Sequence, residues 1–415
     1  MNMENISNIR ENETRIKVID SLRGFSLLGI VLIHFIEHFN LFNFQETTSS
    51  FSEIIDNGIL GTVFFLFSGK AYAIFSYLFG FSFFIQLNNQ AKLGNDFRLR
   101  FAWRLLILLL VFAQLNALFY PGDILALYAT IGFTLIFVCK LNDKIVLLIA
   151  IILLLQPLEW IKFISSLWDS NYEIAANLNW NYYKLIHPIL AEDSFVNTLK
   201  ANIWNGQIFS NLWQIENGRL FQTTSLFMLG MLSGRKDVFR KTNKNILFWK
   251  RIFIIGIVCF IPLFTLHKYL PEIHSGSPFR ILNSITIPSL KNFSFSLILV
   301  AGYILLWYKN TIPKLQNAIL PFGRMSLTNY ISMGIVGSFM FFGYGLSLYN
   351  KLGVFVSFSI GIIFFLLQLA FSTLWLKKHK QGPFEYLWKK LTWVGTNNDK
   401  KLVPNEITLP VTKTH

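Results

Sequence analysis

The chain has 415 residues, of which 53% are hydrophobic and only 14% charged, far below the roughly 25% charged share of a soluble domain. That excludes an ordinary soluble enzyme. Its 43 Phe and repeated apolar runs, each near the ~20 residues that cross a bilayer core, point to an all-α polytopic membrane protein. The formal net charge of +15 would suit a nucleic-acid binder, but the basic residues gather in the stretches between apolar runs. The partner expected from that arrangement is the lipid bilayer and not a nucleic acid.

In chain order, ten segments fit spanning helices: 19–39, 59–87, 101–119, 124–139, 145–164, 220–233, 252–266, 293–307, 327–348 and 354–376. Backbone groups in lipid must be paired within their own segment, so an open chain crosses as helices, and nothing here alternates like a barrel strand. Residues 1–18 are polar and read as an N-terminal tail, not a cleavable leader, because the following run is long enough to span. Residues 19–376 form the membrane domain, with an outer loop at 165–218, and 377–415 form an amphipathic segment followed by a tail. Taking alternate sides, 26 Lys and Arg fall on the side of both termini and 8 on the other, so both termini are expected in the cytoplasm. The outer loop carries Trp168, Trp180, Trp204 and Trp213, which suit an interfacial belt or a platform for a sugar or lipid head group. Cys139 and Cys259 both lie in apolar runs and offer no disulfide framework or cysteine-based zinc site.

The first span is the most informative, because ionisable groups at membrane depth are costly and usually line a cavity or pathway. It holds Asp20, Arg23, His34, Glu37 and His38. Eleven residues separate Arg23 from His34, which on a helix is about 1,100°, roughly 20° past three full turns, with a rise of roughly 16 Å. The two side chains therefore share a face at different depths, Arg23 near the cytoplasmic end and His34 in the outer half. His34, Glu37 and His38 also spell H-x-x-E-H, an inverted zinc-protease spacing. With no third ligand marked in the sequence, no metal site is assigned, and Glu37 and His38 read as an interfacial pair. Lys70 needs a counter-charge such as Glu53, Asp56 or an anionic ligand. Arg104, Asn116 and Asp123 are further polar groups in apolar surroundings, suited equally to helix-to-helix contacts and to ligand binding.

Several blocks are shared with a known family. They are Gly323-Arg324-Met325-Ser326-Leu327-Thr328-Asn329-Tyr330, Gly343-Tyr344-Gly345 and the stretch from Gly382 through Thr392, joined by Asp20-Ser21-Leu22-Arg23-Gly24-Phe25, Leu78-Phe79-Gly80-Phe81 and Pro121-Gly122-Asp123-Ile124-Leu125 with Tyr128. On these residues, from about Arg15 to Trp393, the chain resembles the YeiB-like family of bacterial membrane proteins, known as domain of unknown function number 418. It departs at Asn116, where many members carry His, so a scheme using that His does not transfer. That family is similar in its first helix to the membrane acyltransferases of family 3 and to the heparan-glucosaminide acetyltransferase group. The former share the Arg and His spacing of Arg23 and His34.

The resemblance implies a multi-pass protein of the bacterial cytoplasmic (inner) membrane. It also implies a membrane-bound O- or N-acyltransferase that takes an acyl group from cytosolic acyl-CoA, a co-substrate and not a resident cofactor, to an extracytoplasmic glycan or lipid. His34 would be the catalytic base or transient acyl carrier, and Arg23, with Lys70, Arg104, Asn116 and Asp123, would bind substrate. The alternative is a transporter or exporter of an anionic or amphipathic small molecule, its path lined by the same residues. The segment from Gly382 to Trp388 is expected to lie on the membrane with Trp388 and Trp393 as anchors.

Overall fold

Apolar side chains drive this chain into lipid, and the pairing of backbone groups then leaves helix as the regular element. The computed structural model describes residues 3–42, 50–169, 176–273 and 278–395, and every regular element among them is helical. The polar tail read after residue 395 lies outside the described residues. The protein is a helical membrane protein in which each of the ten apolar runs contains helix, but they differ in reach, and the run read as 327–348 leaves its helix after Phe341. Among the described residues, six helices are long and apolar enough to cross a membrane: Lys17–His38, Phe51–Lys92, Arg98–Phe119, Asn243–Leu270, Phe279–Lys309 and Val354–Lys378. A seventh span forms if Asp143–Leu154 and Pro157–Trp168 count together across their 51° bend. That bend follows from Pro157 opening a new helix behind Gln156, whose φ of 60° breaks the first one.

The three remaining runs are shorter helices, Leu125–Val138, Arg219–Arg235 and Ser326–Phe341. At 1.5 Å per residue they reach only about 21–26 Å, short of the roughly 30 Å core. Within the Phe51–Lys92 span, which contains the run read at 59–87, a turn separates two helices, Ser50–Phe67 and Ala71–Lys92. They meet at Gly69, whose φ of +73° is open to glycine without steric cost. The helix of the first span already begins in the polar start of the chain, running from Met3 to Ile33.

Burial ranks the spans by position. The first helix is central, with 72% of its apolar window buried, whereas Asn243–Leu270, with 11% buried, lies at the periphery and packs chiefly on Ile287–Lys309. Tight crossings depend on glycine, as expected where helices approach without a hydrophobic drive. A Cβ on Gly80 would stand 1.9 Å from the Phe227 carbonyl oxygen, and one on Gly230 would stand 1.9 Å from that of Tyr77. These contacts lock Ala71–Lys92 onto Arg219–Arg235. Gly323 packs so closely on the first helix that its Cβ would lie 1.8 Å from the Asp20 carbonyl oxygen.

The last helix, Pro383–Thr392, does not simply lie on the membrane. Its Glu385 carboxylate accepts hydrogen bonds from the Leu327 and Thr328 backbone N–H groups at 2.7 and 3.0 Å and from the Thr328 hydroxyl at 2.6 Å, capping Ser326–Phe341 from outside its own sequence. Trp388 donates its indole N–H to the Arg104 carbonyl at 2.9 Å, while Tyr386, Leu387, Lys389 and Lys390 turn outward. This inward docking corrects the reading of Trp388 as a membrane anchor. The indole therefore has both packing and wall contacts to lose, and a Trp388→Ala protein is expected to unfold more readily by about 3 kcal/mol. Thermal unfolding of the purified variant checks this, and an unchanged midpoint would contradict the docking.

Candidate functional site

The first helix ends in a π turn over His34–His38, a widening often found at functional positions. The turn directs His34, Glu37 and His38 together toward one internal cavity of about 600 Å³. His34 is 8% exposed. Its Nδ1 lies 2.7 Å from the Ile30 carbonyl oxygen, which can only accept, so Nδ1 carries the hydrogen and Nε2 keeps a free lone pair. His38 Nδ1 lies 2.6 Å from the Tyr120 hydroxyl, and its Nε2 lies 3.5 Å from Glu37. The Tyr120 ring sits with its centroid 5.1 Å from that of His34. Gly122 leaves the space the tyrosine needs, since a Cβ there would fall 2.3 Å from its hydroxyl oxygen. Among the described residues no group of three or more His, Cys, Asp or Glu side chains converges on a point where a metal could sit.

Arg23 lines the same cavity as His34. It donates to Asp20 at 2.7 Å and to the Ser82 hydroxyl at 3.0 Å, so its orientation is fixed while part of its guanidinium remains available. Around it the cavity wall includes Arg104, Arg324, Glu385 and Trp388. Arg104 stacks on the Trp388 ring at 3.6 Å and donates to the Thr392 hydroxyl at 3.4 Å. Phe64, Phe67, Phe75 and Phe79 make much of the wall apolar.

The other residues read as ligand-binding stand elsewhere. Lys70 is absent from this wall; its ammonium donates to the Phe64 carbonyl at 3.2 Å and lies 6.0 and 5.7 Å from the Phe65 and Phe295 rings. It thus adds a second donor to a carbonyl in the last turn of Ser50–Phe67 that already accepts from the Ser68 N–H at 3.1 Å. The carboxylates suggested as its partners lie apart, Asp56 accepting from the Phe355 N–H at 2.8 Å and Glu53 being exposed. Asn116 donates to Asp123 at 2.8 Å, and Asp123 also accepts from the Ala126 N–H at 3.0 Å. This pair caps Leu125–Val138 behind the wall rather than in it.

Sequence reasoning missed Tyr120, Tyr330, Arg219, Arg324 and Glu385 as wall residues. Tyr120 could have been suspected from its place before Pro121-Gly122. Arg219 counted merely as an outer-loop cation, and nothing local marked it. Of the outer tryptophans, Trp180 and Trp213 line the cavity, whereas Trp168 and Trp204 are 90% and 72% exposed.

Comparison with known proteins finds relatives whose descriptions name no reaction. Residues 233–395 match the family described as "Protein of unknown function (DUF418)". The chain is 26% identical over 412 residues to "Uncharacterized protein YxaH" of Bacillus subtilis (strain 168), covering 92% of this chain and 95% of that one. It is 25% identical over 398 residues to "Uncharacterized 39.9 kDa protein in amylase 3'region" of Bacillus acidopullulyticus, covering 92% and 94%. With "Uncharacterized protein YeiB" of Escherichia coli (strain K12) it shares 37% identity over 79 residues, 19% of this chain and 20% of the other. No solved structure matches.

Proposed function

We propose that this is a transmembrane acyltransferase of the bacterial cytoplasmic membrane, with both termini in the cytoplasm, moving an acyl group from cytosolic acyl-CoA to an extracytoplasmic glycan or lipid. The observation that carries this reading is the single cavity with Arg23 and His34 on its wall, eleven residues and therefore roughly 16 Å apart along one helix. An extended thioester of that length bridges a cytoplasmic anion contact and an outer reaction centre. His34, held by the Ile30 carbonyl with Nε2 unprotonated, accepts the proton of an acceptor hydroxyl as that oxygen attacks the thioester carbonyl. The C–O bond forms, the C–S bond breaks, and the imidazolium returns its proton to the departing thiolate. Glu37, His38 and Tyr120 stand beside this centre and fix the surroundings of the imidazole.

Arg23 binds the donor and takes no part in bond making. Arg23→Gln is expected to weaken donor affinity roughly tenfold, in line with the loss of one charge-assisted hydrogen bond, with little change in the rate at saturation. Initial rates against acyl-CoA concentration separate the two effects, and a fall in the saturated rate alone would contradict the assignment.

The reaction itself is tested with inside-out membrane vesicles given labelled acyl-CoA. Label is expected to leave CoA and appear on membrane or lumenal material only when the protein is present. Movement of an intact solute with no acylated product would instead favour a transporter and overturn the proposal.

A further inference from the structure

Four arginines line the cavity, and three are tied to the protein by hydrogen bonds: Arg23 to Asp20 and Ser82, Arg104 to Thr392, and Arg324 to the Lys380 carbonyl at 2.9 Å. Arg219 differs. Its guanidinium stacks on the Tyr72 ring at 3.7 Å and lies 5.6 Å from the Trp213 ring, and no hydrogen bond or ion pair joins it to a described residue. Two aromatic faces orient a guanidinium without using its N–H donors, so those donors remain available to the cavity. Tyr72 is itself held, its hydroxyl donating to Gln222, and Gln222 donates to the Ser289 carbonyl at 3.1 Å. The same cavity is lined by Phe64, Phe67, Phe75 and Phe79, the last two on the helix that carries Tyr72. A fork of free donors next to an extended aromatic wall matches a molecule with a phosphate at one end and a hydrocarbon chain at the other.

We propose that Arg219, seated on Tyr72 and Trp213, binds the phosphate of an anionic lipid whose chain lies along this phenylalanine wall, and that this lipid is the acceptor side of the reaction. The inference rests on the acyltransferase reading for the word acceptor, but the binding site stands or falls by itself. Phosphate is also carried by CoA, so the test must separate the two sources.

Purified full-length protein in neutral detergent is titrated with phosphatidic acid, with phosphatidylcholine, and separately with acetyl-CoA, and thermal unfolding is followed. Phosphatidic acid is expected to raise the unfolding temperature above the value in phosphatidylcholine. Arg219→Gln should remove most of that increment, Arg219→Lys should keep part of it, and the acetyl-CoA increment should be the same in Arg219→Gln as in the unsubstituted protein. Equal lipid increments with and without Arg219, or no increment at all, would overturn the proposal. Loss of the acetyl-CoA increment with the lipid increment intact would assign Arg219 to the donor and overturn it too. If Arg219→Gln yields no folded protein, photoactivatable phosphatidic acid on the unsubstituted protein decides the matter. Labelled peptides containing Trp213, Arg219 or Tyr72 support the site, and labels confined to the outward-facing Asn243–Ile273 helix overturn it. A lipid increment that depends on Arg219 in a protein that acetyl-CoA does not stabilise would support this site and count against the acyltransferase reading alone.

Discussion

A His34→Ala protein is expected to fold and to lose acyl transfer by roughly 10²–10⁴-fold, the range over which a positioned general base acts. The reasoning starts from one hydrogen bond. Because Nδ1 is spent on the Ile30 carbonyl, the imidazole presents a single basic nitrogen, and burial at 8% exposure keeps competing water from it. Its ring contacts with Tyr120, His38 and Phe39 make some loss of stability certain on truncation, so His34→Asn, which keeps more of the volume, serves as the companion variant. Both should retain a sharp elution profile and thermal unfolding while failing to turn over, because neither replacement supplies a base. Full transfer by a well-folded His34→Ala protein would remove His34 from the mechanism.

Gly323→Val is expected to abolish folding. Overpacking a core typically costs about 1–3 kcal/mol when side chains can shift, but here the obstruction is main chain. A Cβ at position 323 would stand 1.8 Å from the Asp20 carbonyl oxygen and 2.6 Å from the Gly24 nitrogen, and a Cβ added at Gly24 would in turn stand 2.6 Å from the Ile319 carbonyl oxygen. The two backbones are in mutual contact, so the added methyl groups are accommodated only by prising the Leu320–Arg324 helix away from the first helix. That movement displaces Arg23 and Arg324 on the cavity wall as well. Gly323→Ala should give a graded result, with reduced yield and a lower unfolding temperature. A Gly323→Val protein with normal yield and an unchanged midpoint would show that the crossing is not this close.

Much of the architecture was legible because hydropathy reports burial in lipid directly. Each of the ten apolar runs contains helix, and Arg23 and His34 share a cavity as their eleven-residue spacing suggested. The features that escaped are those set by long-range packing. Hydropathy could not reveal the break at Gly69, since the run stays apolar across it, nor that Lys70 serves the carbonyl of Phe64 instead of a carboxylate. Asn116 and Asp123 read as candidate ligand groups because they are polar at depth, yet their partners are each other and the start of the next helix. Glu385 and Trp388 lie about sixty residues or more from the groups they engage, and a composition suited to a membrane surface concealed an inward-facing contact. Arg219 was invisible as a wall residue for the same reason, its setting being supplied by Tyr72 from a distant helix.

The central claim is that acyl-CoA occupies the cavity between Arg23 and His34, and equilibrium stabilisation of the purified protein tests it most directly. A ligand that binds only the folded state adds about 2.7 kcal/mol at a hundred times its Kd, so acetyl-CoA should raise the unfolding temperature progressively and to saturation. The same titration on Arg23→Gln should require roughly tenfold more ligand for an equal shift, and His34→Ala, which lacks the base but keeps the donor contact, should follow the unsubstituted curve. No shift at any acetyl-CoA concentration, or an identical curve for Arg23→Gln, would contradict the account.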